Sequence, residues 1–357
     1  MSEAVSRVLV LYTGGTIGMK RGPRGFEPVA GWFAEQLASF PQLHDPSQPR
    51  LTTPAQDGRR VRYEVIAYDP LLDSANLDLS HWAAFAADIE ARYDDFDAFV
   101  IVHGTDTMTY SASALSFMLE SLAKPVILTG AQIPLAHVRN DAVDNLLGAL
   151  SIAGLSTAGL ASPLPEVGLY FHHKLLRGNR ATKVDAESLD AFDSPNLPPL
   201  VEVGVDIRIR KDIVHAFPQS KLRVHKTLSP NVAALRLFPG ITAATLANFV
   251  RPPLEGLVLE TFGAGNAPDR KGDLLSILRE ATDRGVVIVN VTQCLRGRVS
   301  PSYAAGRALL DAGVVPGADM TAEAALTKLA YLLGRGLDQD EVRRQLAISL
   351  RGELTEG

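Results

Sequence analysis

The chain has 357 residues, 46% hydrophobic and 21% charged, an ordinary globular composition with length for about two domains at ~150 residues each. Its net charge of −5 and pI near 5.9, with no local run of lysine or arginine, give no electrostatic footprint for nucleic acid. A single cysteine, Cys294, excludes an internal disulfide framework and a cysteine-based zinc site; with no apolar run near the ~18 residues of a membrane span and no secretory signal, the expectation is a soluble, cytoplasmic protein.

In chain order, Val8–Tyr12 reads as a buried strand and runs into the glycine-rich turn TGGTIG (Thr13–Gly18). Tyr63–Tyr68 and Ala98–Val102 are further strands. Met108, Ala112, Leu115, Leu119 and Leu122 then recur at helical spacing. Strand character returns at Pro125–Thr129 and, after another helical stretch, at Gly168–Phe171. Short apolar strands separated by helices predict a mostly parallel sheet with helices on both faces. Near residue 200 the texture changes: Val201–Ala216 is charged and alternating, suiting an edge hairpin or a domain connector. The strand–helix rhythm resumes at Ala233–Phe238, Gly256–Glu260 and Gly285–Val291, and from Thr321 the chain reads as helix. The expectation is an α/β protein: a large N-terminal domain with a mostly parallel sheet over 1–200, a connector over 201–225, and a smaller C-terminal α/β domain over 226–357.

Ligands of open parallel sheets bind beyond the carboxyl ends of the strands. There the chain places Thr13–Thr16 after the first strand, Asp69–Ala75 after the second, His103–Thr107 after the third, and Arg177–Lys183 after Gly168–Phe171. Small hydroxyls, carboxylates and a lysine would collect at one end of one sheet. The glycine spacing of TGGTIG matches neither a dinucleotide fingerprint nor a Walker loop, which leaves a tight turn or a reactive-hydroxyl loop. In HGTDT, Thr105 and Asp106 precede a helix beginning near Thr107, where they could simply cap it. His103, His172 and His173 follow no zinc spacing, no serine-hydrolase elbow is present, and Cys294 reads as a buried small hydrophobe. Jointly the residues say more. A threonine hydroxyl needs a neighbour to take its proton. A lysine whose charge is disfavoured by desolvation can do so, held in place by a carboxylate. Thr105, Asp106 and Lys183 form such a set. Thr16 offers a second hydroxyl on a loop whose glycines permit close approach and whose N–H groups could hold an oxyanion. This points to acyl transfer or amide hydrolysis on a small polar substrate, with no cofactor and no metal.

TGGTIG, HGTDTM and RGNRATKVDA resemble the bacterial-type L-asparaginase family, most nearly its cytoplasmic type I branch. KPVILTGAQIP, FDSPNLPPL, FGAGNAPD and GADMTAEAALTKL extend the resemblance over essentially the whole chain. It implies that Thr16 is the nucleophile attacking the side-chain amide of asparagine, and that Thr105, Lys183 and Asp106 are the second threonine and its triad. It implies that Asp73 and Ser74 hold the substrate's α-carboxylate and amino group, with Ala75 of the same segment offering only backbone and Asp106 also facing the amino group. Asn266 would complete the site from a neighbouring subunit of a homodimer or dimer of dimers, and Tyr303 aligns loosely with a substrate-contacting position. Two positions depart from the family. Phe26 stands where many members carry a tyrosine near the nucleophile, and phenylalanine cannot relay a proton; the loop's Gly18, Gly22 and Gly25 leave it free to close as a lid with Phe26 excluding water. Some type I enzymes bind regulatory asparagine through a small-domain cysteine and an arginine; Cys294 is present, but Glu260 occupies the arginine position, so the resemblance does not carry allostery over. Three readings remain: L-asparagine amidohydrolase; a mixed glutaminase-asparaginase or an amidase on a related acyl amide; and an inactive amino-acid sensor, the last disfavoured because a sensor has no need for both hydroxyls.

Overall fold

The strand run that opens the chain is apolar on both faces because both faces are covered. In the computed structural model, which describes residues 4–22, 25–29, 31–56, 58–156, 163–268, 272–300 and 304–356, β1 (Ala4–Gly14) holds Val8 to Leu11 fully out of solvent. Parallel strands buried this way read as continuous hydrophobic runs. β1 lies between β2 (Arg59–Leu72) and β3 (Ala98–Val102), both parallel to it. β4 (Val126–Thr129) and β5 (Val167–Phe171) continue the parallel series. Three antiparallel strands, β6 (Lys174–Arg177), β7 (Val201–Val203) and β8 (Ile207–Ile209), finish the eight-stranded sheet. Helices α1 (Leu79–Ala91), α2 (Met108–Met118) and α3 (Ala142–Ala153) make the crossovers.

The details differ from the sequence pattern in three places. β2 runs past Tyr68 through Asp69-Pro70 to Leu72, because it is the sheet edge and its register slips between Tyr12/Ala67 and Gly14/Leu72; an edge bulge is where a strand tolerates proline. The helical spacing that extended to Leu119 and Leu122 stops at Met118, and Leu119–Glu120 pairs instead with Arg223–Val224. The glycine-rich segment after the first turn is a ribbon of Met19–Gly22 against Gly25–Pro28.

The chain divides into two compact units, 1–194 with 198–224, and 195–197 with 225–357. The charged stretch after residue 200 contributes β7 and β8 to the first unit's sheet. The second unit is built on four parallel strands, Val232–Arg236, Gly256–Thr261, Val287–Thr292 and Val315–Pro316. Its C-terminal tail is pinned by Lys328, fully buried on the helix Ala322–Gly334. Lys328 Nζ donates to the carbonyls of Leu346 (3.1 Å) and Ile348 (2.6 Å) and pairs with the equally buried Glu353 at 2.6 Å. Both units are mixed α/β. Among the described residues no helix is long and apolar enough to cross a membrane.

Candidate active site

The five parallel strands stand in the order β2-β1-β3-β4-β5. Their order reverses between β1 and β3, and the crevice outside the carboxyl ends of those two strands is the natural ligand position in such a sheet. The loops leaving β1 and β3 meet there, backbone to backbone. Gly15 has φ +85°, and a Cβ on it would lie 2.6 Å from both Cα and N of Gly104. A Cβ on Gly104 would lie 2.4 Å from Ser74 Oγ, and one on Gly14 2.2 Å from the Leu72 carbonyl oxygen. Glycine at these positions is therefore a requirement of close approach. The three juxtapositions bring the Thr16 turn, the HGTDT loop and the Asp73–Ala75 segment to one place.

Thr105 and Asp106 do not cap α2. The N-cap is Thr107, which makes no side-chain cap; its hydroxyl donates to the Ser74 carbonyl at 2.7 Å. Lys183 Nζ instead donates to Thr105 Oγ1 at 3.0 Å and to Asp106 Oδ1 at 2.8 Å. Lys183 reaches this position by an indirect route. After β6 the chain packs Gly178 on Ala112 of α2, with Ser113 Oγ donating to the Gly178 carbonyl, and returns to the loop end of β3. There Thr182–Lys183 forms a short ribbon with Phe192–Asp193. Thr105 is buried; the Lys183 side chain is 21% exposed and that of Asp106 62%. The ion pair is thus open to solvent on the carboxylate side, and its chief effect is to place the ammonium beside the Thr105 hydroxyl.

His103 is fixed in the wall behind this trio. Trp82 Nε1 donates to Ser111 Oγ at 2.9 Å, leaving the Ser111 proton for His103 Nε2, also at 2.9 Å. The ring then carries its own proton on Nδ1 and donates it to the Gly104 carbonyl at 2.6 Å. Complete burial pushes its pKa down to about 4. A neutral histidine so engaged holds the HGTDT loop in shape.

Around the trio, Ser74 is buried against Gly104, while Asp73 is exposed and caps the short turn Ser74–Asn76. Its carboxylate accepts from Ala75 N (3.2 Å) and Asn76 Nδ2 (3.0 Å), so the Ala75 N–H is already engaged. Beneath the Thr16 turn lies Tyr12, stacked on Phe33 with centroids 4.2 Å apart. Its buried hydroxyl has no partner among the described residues and sits where a Cβ on Gly18 would come within 2.0 Å. Burial pushes its pKa up. A residue not singled out by the sequence, Gln132 of KPVILTGAQIP, also touches Thr105. An unremarkable glutamine between two apolar residues gave no signal.

In the second unit, Asn266 sits on the turn after Gly256–Thr261, closed by reciprocal backbone bonds with Phe262 at 2.9 and 2.8 Å. Cys294 is exposed. Glu260 accepts from Arg236 Nη1 at 3.4 Å. Phe26 is on the ribbon strand Gly25–Pro28, opposite Arg21; its side chain, and all of Tyr303, lie outside the described residues. Among the described residues no cluster of three His, Cys, Asp or Glu side chains could hold a metal ion.

A buried hydroxyl beside a carboxylate-held ammonium, on a loop whose backbone packs against a glycine turn at a sheet switch point, defines the class: an α/β protein equipped for acyl transfer. The family pattern described as "Asparaginase, N-terminal" matches residues 7–215, and "Glutaminase/Asparaginase C-terminal domain" matches 231–346. The chain is 48% identical to L-asparaginase 1 of Escherichia coli K12 over 349 residues, covering 98% of each. It is 47% identical to the human 60 kDa lysophospholipase, covering 99% of this chain and 63% of that protein. The solved structure of L-asparaginase I from Vibrio cholerae superposes with a TM-score of 0.86 at 44% identity, covering 99% of this chain and 100% of the other. The chain belongs to the asparaginase family.

Proposed function

We propose that this chain hydrolyses L-asparagine to L-aspartate and ammonia without a cofactor. The observation that carries the reading is the contact of Lys183 Nζ with both Thr105 Oγ1 (3.0 Å) and Asp106 Oδ1 (2.8 Å) on the loop against which the Thr16 turn packs. Thr16 is the nucleophile: its oxygen bonds to the amide carbon, the C–N bond breaks, and the proton from Thr16 leaves on the nitrogen as ammonia. Water then attacks the β-aspartyl ester, delivering its hydroxyl to the acyl carbon and returning a proton to Thr16. Thr105, with Lys183 held by Asp106, relays these protons. Backbone N–H groups of the glycine turn stabilise the oxyanion, the kind of pre-aimed donor whose loss costs about 10²–10³-fold. Asp73 and Ser74 hold the α-carboxylate and amino group, and Asn266 of a neighbouring copy, in a homodimer or dimer of dimers, completes the site.

Ammonia release from L-asparagine and L-glutamine, measured side by side, tests the reading. Release from asparagine in excess over glutamine is expected. Comparable rates would make the chain a mixed glutaminase-asparaginase, and no release from either would leave an amino-acid-binding sensor.

A further inference from the structure

Gln132 and Lys183 both reach Thr105 Oγ1, and the surroundings of Gln132 fix which way its amide faces. Its backbone N–H donates to Asp141 Oδ2 at 3.0 Å, and the next N–H, from Ile133, donates to Asp141 Oδ1 at 2.8 Å. Asp141 is itself held by Asn145 Nδ2 at 3.0 Å, which also donates to the Gly130 carbonyl at 3.0 Å. The backbone of Gln132 is therefore locked by a buried carboxylate–amide pair. At the other end, Gln132 Nε2 donates to the carbonyls of Ala186 (3.2 Å) and Ser188 (3.1 Å) on the loop that follows Lys183. Carbonyl oxygens accept only, so the amide NH₂ must face that loop and the amide oxygen must face the site. That oxygen lies 3.4 Å from Thr105 Oγ1. Lys183 donates to the same hydroxyl oxygen. Among the described residues, the Thr105 hydroxyl donates to Gln132 Oε1.

We infer that Gln132 is a positioning residue of the proton relay: its amide oxygen holds the Thr105 hydroxyl proton, so that the hydroxyl oxygen keeps a lone pair toward Lys183. The chain of bonds runs Lys183 N–H to Thr105 oxygen, Thr105 O–H to Gln132 oxygen, and each bond polarises the next. The separation of 3.4 Å is long for a hydroxyl donor, as catalytic contacts often are before substrate binds. The same side chain couples the relay to the 184–190 loop, so a shift of that loop would be felt at Thr105. This inference rests on the proposed role of Thr105 and Lys183.

The test compares Gln132→Met, which keeps length but removes donor and acceptor, with Gln132→Glu and with Thr105→Val. For Gln132→Met, kcat should fall about 10- to 100-fold, within the span of relay losses, while KM for asparagine stays within about threefold and the melting temperature holds. For Gln132→Glu, the protonated acid can donate to a loop carbonyl and accept from Thr105, whereas the carboxylate sets oxygen against two carbonyls. Its kcat relative to wild type should therefore rise as pH is lowered from 8 towards about 5, around the carboxyl range, and that of Gln132→Met should not. Unchanged kcat in Gln132→Met with Thr105→Val inactive would overturn the role of Gln132 and leave the relay standing. A parallel loss of kcat, KM and melting temperature in Gln132→Met would reduce it to loop docking and also overturn it. An active Thr105→Val would remove the relay and this inference with it.

Discussion

Replacing Gly15 by alanine attacks the contact that joins the two threonine loops. Its φ of +85° with ψ of 174° is a region open essentially to glycine, costing other residues about 1–3 kcal/mol. The new Cβ would also lie 2.6 Å from the backbone of Gly104, where ordinary contact begins at 3.4 Å. Two backbones must then part by roughly 0.8 Å, an overpacking of about 1–3 kcal/mol. The sum is about 2–6 kcal/mol against a total stability of about 5–15 kcal/mol. A displacement near 1 Å between reacting groups costs about 10²-fold in rate, so the surviving folded enzyme should be at least that much slower. Thermal unfolding gives the first quantity and steady-state ammonia release from folded protein the second. Gly240→Ala is the control, since Gly240 shares the positive φ (+96°) but a Cβ there meets nothing within 4 Å; it should lose stability modestly and keep full kcat. Full activity and stability in Gly15→Ala would refute the juxtaposition of the Thr16 turn with Gly104.

Four further outcomes follow from the same geometry. Tyr12→Phe deletes a buried hydroxyl without a described partner, so it should be neutral or stabilising by about 1 kcal/mol; denaturant unfolding that shows a loss above ~1 kcal/mol would reveal a partner for that oxygen. Gly18→Ala should destabilise by about 1–3 kcal/mol, and Tyr12→Phe should not fully rescue it, because Tyr12 Cζ is itself 2.6 Å from the new Cβ. His103, held at a pKa of about 4 against an ordinary 6.5, binds its proton more readily in the unfolded chain; stability should fall as pH drops from about 6.5 towards 4, by about 1.4 kcal/mol per unit from this group, and that slope should flatten in His103→Gln when unfolding is followed at stepped pH. Glu353→Leu leaves Lys328 charged and buried without its partner, an expected loss of about 3–5 kcal/mol by denaturant titration; a loss below ~1 kcal/mol would mean the two backbone carbonyls suffice for the ammonium.

Much of the first unit was legible because burial on both faces writes a continuous apolar run, as in β1, β3 and β4. Edges were not, since a partly solvated strand lacks that run: β2 continues through Asp69-Pro70, and Val201–Ile209 turned on alternation that a connector can share. The positions of Thr16, Thr105 and Asp106 follow from strand ends. Lys183 does not, because it arrives only after a hairpin descends through β6 and the chain returns along α2. Gln132 was invisible because its role lies in the direction of an amide set by two carbonyls 54 and 56 residues away.

The proposed chemistry stands or falls on the Thr16 oxygen carrying the aspartyl group between the two half-reactions. Acid quenching of the enzyme during turnover of asparagine, followed by peptide mass spectrometry, measures this directly. An aspartyl ester on the peptide containing Thr16, absent from Thr16→Ala together with turnover, is the predicted result. An ester on Thr105, or sustained ammonia release by Thr16→Ala, would contradict it.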